Sequence, residues 1–233
     1  MPETDHSARA KAQRALLRAL KQMSADAQAQ ADRKTARAQA PTQTAQLKIT
    51  LRYLDPAIWR RVLVPHDITL PRLHAVIQTI MPWTDSHLHS FETKTTIYQR
   101  LFEDADSGLF PSQRETLDET KHRLCDLLPK PKTKCVYTYD FGDNWEHDIL
   151  LEKLHPASGR LPRAEVLAGE NACPPDDCGS VPGYCRLVEI LLNPKHPEHI
   201  EMRDWLGLEK NQKFDPYRCD LVAINAELSR LKI

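Results

Sequence analysis

The sequence predicts an α+β fold: an antiparallel sheet built from hairpins, helices packed on one face of it, and an N-terminal helical extension. Three observations carry this. Apolar and polar residues alternate with period two in 47–53, in 58–64 and on both sides of the turn in 135–152. Apolar residues recur at three- and four-residue spacing in 70–81 and again near the C-terminus. The first 45 residues are dominated by Ala, Gln, Arg and Lys, with no aromatic residue and no glycine, a composition that favours helix but has little to bury.

Along the chain, a helix over 7–38 is expected from that composition, with Leu16, Leu17, Leu20 and Met23 as its only apolar cluster and Pro41 ending it. The folded domain is read as 46–233. QLKITLRYL puts Leu47, Ile49, Leu51 and Tyr53 on one face, and the segment from Ile58 to Val64 alternates in the same way, with Arg60 opposite Trp59 and Arg61. An Asp55-Pro56 turn joins the two into a hairpin. Thr69 is placed to cap a helix whose Leu70, Leu73, Ile77 and Ile80 form one face, with Pro82 ending it. Were 87–93 a strand, His87, His89 and Phe91 would share a face. Residues 100–122 read as a loop, and Leu124, Leu127 and Leu128 as a helical turn.

The stretch CVYTYDFGDNWEHDILLE, 135–152, organises the rest. Gly142, Asp143 and Asn144 tolerate the positive φ that a tight hairpin needs. The outgoing strand sets Trp145, His147, Ile149 and Leu151 on one face, read as core, and Glu146, Asp148 and Glu152 on the other. From Leu167 onward, Gly, Pro, Asp and Cys accumulate and long regular structure is not expected. Three helices close the chain. The first packs Leu187, Val188 and Leu191, and the second buries Ile200 and Trp205 and stops at Gly207. The third is capped by Asp220, with Leu221, Ile224, Leu228 and Leu231 on one face.

The bulk numbers narrow the function classes. At 233 residues, 27% charged and 41% hydrophobic, the chain can bury a full core. It has no apolar run near the ~20 residues of a membrane span and no hydrophobic leader at its N-terminus. A cytoplasmic protein whose six cysteines are thiols or ligands follows. The zero net charge hides an asymmetry. Residues 1–45 hold eight Lys/Arg against four acids, a net +4, which leaves −4 on the body. Only the extension has the sign to bind nucleic acid, and it could equally dock a protein partner.

Several groups could carry chemistry. His87-x-His89 on a strand would put two imidazoles on one face, with Asp143, His147 or the 173–178 loop completing a divalent-metal set. Cys173 and Cys178, with four residues between them, have a spacing compatible with zinc, though a single pair leaves a rigid turn with buried thiols as the alternative. Asp176 and Asp177 with Asp140 and Asp143 would suit a hard cation such as Mg or Mn, or would serve as turn and cap residues. With Asp85, Asn144 and Trp145 these make a candidate pocket between the hairpin turn and the cysteine loop. Nucleophilic triads, phosphate loops and dinucleotide fingerprints are absent, and seven glycines are too few for the last two.

Five blocks in order, LKITLRYLDPAIWRRVLVP, LHAVIQTIMPWTDSHLHSF, KCVYTYDFGDNWEHDILLEK, ACPPDDCGSVPGY and FDP…CDLVAINAEL, resemble the plasmid pRiA4b ORF-three-like family over about 46–231. The resemblance implies an α+β fold and an association with plasmids and insertion elements, without a settled activity. Some members of that family carry a resolvase label. The residues here do not support that chemistry: Ser7 and Ser24 lie in the extension, Ser86 and Ser90 stand beside histidines rather than arginines, and no Arg…HxxR…Tyr set occurs. Three functions remain in play. One is a non-catalytic binding or accessory module. The second is a metal-assisted phosphodiesterase, with His87, His89, Asp143 and His147 on the ion and Asp176 or Asp177 activating water. The third is nucleic-acid binding through 1–45.

Overall fold

The computed structural model describes residues 43–101, 114–156 and 164–231, so the expected extension helix lies outside the described residues. Eight strands form one mixed sheet in the order β5-β4-β3-β6-β7-β1-β2-β8. They are β1 (Thr44–Leu51), β2 (Trp59–Pro65), β3 (His89–Glu92), β4 (Thr96–Gln99), β5 (Glu115–Asp118), β6 (Lys134–Tyr139), β7 (Trp145–His155) and β8 (Glu165–Glu170). Five helices accompany them: α1 (Leu70–Ile80), α2 (Leu124–Leu127), α3 (Ser180–Leu192), α4 (His199–Trp205) and α5 (Leu221–Leu228). Six of the seven neighbouring strand pairs are antiparallel, and the edge pair β4–β5 is parallel.

The period-two pattern is realised as buried and half-buried alternation along β1 and β2. Cross-strand pairs Leu47↔Leu151, Ile49↔Ile149 and Leu51↔His147 bring the apolar face of β1 onto that of β7. Cys135, Tyr137 and Tyr139 continue the face across β6. Leu70, Leu73, Ile77 and Ile80 of α1 and Ile224 and Leu228 of α5 join the same core. Burying side chains of this size is worth about 1.5–3 kcal/mol each relative to exposure. The opposite face carries ion pairs. Arg52 reaches Asp148 at 2.7 Å and Glu146, and Arg61 grips Glu152 with both Nε and Nη2.

Several expectations are corrected. Residues 115–121 are not loop: β5 and a 3-10 turn (Glu119–Lys121) occupy them, and their charged residues had hidden the strand. β8 extends through Leu167 into the stretch expected to be irregular, because it pairs with β2 and its outer edge is met by a side chain. Asn225 of α5 accepts from Val166 N at 2.8 Å and donates to Val166 O at 3.0 Å, standing in for a ninth strand. In the last case α4 forms where expected and Gly207 follows it with φ +64°, but Ile200 and Trp205 are 72% and 47% exposed rather than buried. A two-turn helix lying at the periphery has little core to face. Thr69 holds the N-cap of α1 without a side-chain cap bond, whereas Asp220 caps α5 through Ala223 N.

Arg60 lies on the buried face of β2, 2% exposed, with no ion pair among the described residues. Its guanidinium donates to the carbonyls of Ile80, Trp59, Glu170 and Asn171, which replaces water around a buried charge. Gly169 makes room: a Cβ there would sit 2.7 Å from Arg60 Cδ.

Candidate functional site

Three segments meet at one end of the sheet: residues 81–88 after α1, the β6–β7 turn 140–144, and the loop 173–179 before α3. Trp83 anchors the first two to the third. Its ring stacks on Tyr139 at 4.8 Å and its Nε1 donates to Pro174 O at 2.8 Å. Thr84 donates to Asp176 Oδ2 from both its backbone N and its hydroxyl, and Gly179 N donates to Asp143 Oδ2 at 3.1 Å. The hairpin turn and the cysteine loop therefore adjoin. The turn bends through positive φ at Asp140 and Asn144 rather than at Gly142 or Asp143. Asp140 Oδ1 accepts from Gly142 N at 2.8 Å, leaving Oδ2 directed elsewhere. Asn144 donates to Glu146.

At this junction His87 Nε2 lies 3.1 Å from Asp177 Oδ1 and 3.7 Å from Asp140 Oδ2, and one ligand atom from each lies within 4.8 Å of the others. Among the described residues it is the one such group of three metal-ligating side chains. His87 Nε2 is shut off from solvent yet makes no hydrogen bond, because Asp177 Oδ1 is close but off the direction of one. One imidazole and two carboxylates suit Zn²⁺ or Mn²⁺. The spread of up to 4.8 Å exceeds the roughly 3 Å between neighbouring ligands around a bound ion. Asp177, whose side chain is 70% exposed, has room to close it.

His87 precedes β3 instead of lying in it, so it shares no strand face with His89. His89 belongs to a second cluster, sealed in that its groups satisfy one another, although the Asp85 side chain is 63% exposed. It stacks on His74 of α1 with centroids 3.5 Å apart, and its Nε2 bonds the carboxylate of Glu119, which is 3% exposed. His74 bonds Tyr137 Oη through Nδ1 and Asp85 through Nε2, each within 2.8 Å. Gln78 donates to the same Tyr137 oxygen and accepts from Asp85 N. Burial, then the neighbouring His89, hold the His74 pKa below its ordinary value. Asp85 thus faces this cluster through its side chain.

His147 and Trp145 are core residues. His147 is fully buried, its Nδ1 3.3 Å from Tyr137 O and its ring edge-on to Trp83, and burial pushes its pKa down to about 4. Its Nε2 and Trp145 Nε1 have no partner. The four expected metal ligands therefore divide: His87 sits at the junction, His89 in the sealed cluster, His147 in the core, and Asp143 on Gly179 N. Cys173 and Cys178 flank the junction as free thiols. Burial raises both, Cys178 to about 12, which keeps them protonated.

Sequence reasoning missed His74, Gln78, Tyr137 and Glu119. His74 and Gln78 left a signal, two polar residues four apart on the inward side of α1. Glu119 left none. The concavities lined by described residues include two of note. One of ≈ 530 Å³ opens on the charged face beside Arg61 and Glu152, whose groups already pair with each other. The other, ≈ 210 Å³, lies between α3 and α4 and includes Asp177 in its lining.

The fold and junction define an α+β protein with a histidine–carboxylate cluster where two loops and a hairpin turn meet. The chain belongs to the family described as plasmid pRiA4b ORF-3-like protein, whose model matches residues 43–223. It is 37% identical over 161 residues to the uncharacterized protein y4hQ of Sinorhizobium fredii (strain NBRC 101917 / NGR234), an alignment covering 69% of this chain and 79% of that one. The crystal structure of MM3350, a protein of unknown function from Methanosarcina mazei Go1, is similar with a TM-score of 0.66 at 30% identity, covering 78% of this chain and 98% of that one. Among the described residues no helix is long and apolar enough to cross a membrane.

Proposed function

We propose that the chain is a binding module whose histidine–carboxylate cluster takes a divalent cation on His87 Nε2, Asp140 Oδ2 and Asp177 Oδ1, and through it an anionic ligand. The observation that carries this is the unbonded, solvent-shielded His87 Nε2 beside two carboxylates. A buried polar atom without a partner costs about 1–3 kcal/mol, and a cation would remove that cost. Three protein donors leave coordination positions open for a ligand. The test is equilibrium dialysis of chelator-stripped full-length protein against Mn²⁺, read by elemental analysis. One ion per chain is expected, with affinity falling at least tenfold in His87→Ala and in Asp140→Asn. No stoichiometric binding, or binding indifferent to both substitutions, contradicts the reading.

A phosphodiesterase reading has one observation in its favour. Asp176 Oδ1 is buried at the junction without a partner while Oδ2 is held by Thr84, a placement suited to a positioned base. Hydrolysis of bis(p-nitrophenyl) phosphate in Mn²⁺ that is lost in Asp176→Asn would favour it over simple binding. An accessory role on mobile elements, and a protein or nucleic-acid partner for 1–45, belong to the same proposal, since a cation-dependent binding module is compatible with each.

A further inference from the structure

The ≈ 210 Å³ cavity between α3 and α4 has walls from Leu187, Ile190, Met202 and Trp205 and ends at Asp177. Leu187 and Ile190 are buried, but Trp205 leaves nearly half its surface uncovered. The cavity owes its inner end to a close backbone approach: a Cβ on Gly183 would stand 1.9 Å from Cys178 O, so only glycine lets the first turn of α3 lie against the loop. Arg186 also lines it, yet its guanidinium already holds Glu198 Oε1 and Oε2 at 2.6 and 2.9 Å. The cavity therefore offers apolar walls, no unpaired cation of its own among the lining residues, and one residue, Asp177, in common with the cation site.

We propose that the ligand is a small monocarboxylate with an unbranched apolar body, its carboxylate oxygen on the cation at Asp177 and its chain along Met202 and Trp205. This rests on the cation reading above. Charge complementarity selects the occupant: the cation calls for one anionic head, and the paired Arg186 calls for no second. At about 30 Å³ for each water-sized group, the cavity holds roughly seven carbons.

The experiment titrates Mn²⁺-loaded full-length protein calorimetrically with acetate, butanoate, hexanoate, octanoate and decanoate. Affinity is expected to tighten about two- to fourfold per methylene up to octanoate and then level off. Met202→Glu should bind Mn²⁺ as the wild type does but lose the chain-length slope. Trp205→Ala, at an exposed residue, should halve the slope or more and serves if the first variant does not fold. A flat series on protein that binds Mn²⁺ overturns this inference alone. A slope that survives both substitutions, or that is equally steep without Mn²⁺, also overturns it. Absence of Mn²⁺ binding overturns it together with the cation reading.

Discussion

The two histidine–carboxylate clusters differ in what their polar atoms have to do. In the sealed one, both nitrogens of His74 and Nε2 of His89 are bonded, and the carboxylates of Asp85 and Glu119 each face an imidazole. In the open one, His87 Nε2 has no hydrogen bond although it faces two carboxylates; each cluster has one largely exposed carboxylate, Asp85 in the first and Asp177 in the second. The same residue types thus serve two ends. A cluster whose groups satisfy each other ties α1 to β3 and β6 and holds the loop that carries His87. A cluster that leaves a shielded atom unsatisfied beside two carboxylates has capacity left for a ligand.

Substitutions should separate the two. His89→Ala leaves Glu119 buried without its imidazole and should cost about 3 kcal/mol in urea unfolding, whereas His87→Ala should cost under about 1 kcal/mol. Equal losses would erase the distinction. The reverse is expected on adding metal. At a hundredfold excess over its dissociation constant, Mn²⁺ should stabilise the wild type by about 2.7 kcal/mol, a rise of roughly 5–10 °C in the melting temperature for a domain of this size. His87→Ala should show no rise, and a rise in that variant would place the ion elsewhere.

Acid should act on the buried histidines. His147 and His74 are neutral in the fold and held below their ordinary pKa by burial, His147 at about 4. The unfolded chain therefore binds protons near pH 6.5 that the folded one does not, and stability falls as pH drops. His147 alone should contribute about 2–3 kcal/mol of loss between pH 6.5 and 4.5. His147→Gln should flatten that slope whatever its starting stability. The smallest effect belongs to the charged face. Arg61, hydrogen-bonded to Glu152, depresses the Glu152 pKa to about 2, so the pair contributes above pH 4.5 and is lost as pH falls toward 2. Arg61→Gln should cost about 0.5–1 kcal/mol at neutral pH, and less in 1 M salt.

Period-two and helical spacing made β1, β2, β6, β7, α1 and α5 legible, because each buries one face of a regular element. β5 and β8 were not legible: at the edges of the sheet, few of their residues need be apolar, and pairing rather than pattern defines them. Turn chemistry and proline content marked the acidic turn and the cysteine loop as irregular segments, but their meeting was assumed rather than read, and the Gly179–Asp143 bond supplies it. The partition of the histidines was not. His147 and His89 lie on inward faces whose polar neighbours, Tyr137, His74 and Glu119, come from distant segments, and spacing along one strand cannot report who stands opposite. His87 left the shared face because β3 begins only at His89.

The most direct measurement is anomalous diffraction from a crystal grown with Mn²⁺. A peak bounded by His87 Nε2, Asp140 Oδ2 and Asp177 Oδ1, with Asp177 drawn inward and no peak at His74 and His89, is what the account predicts. A fully occupied ion at the sealed pair, or no ion at the junction in crystals that hold Mn²⁺ elsewhere, would contradict it.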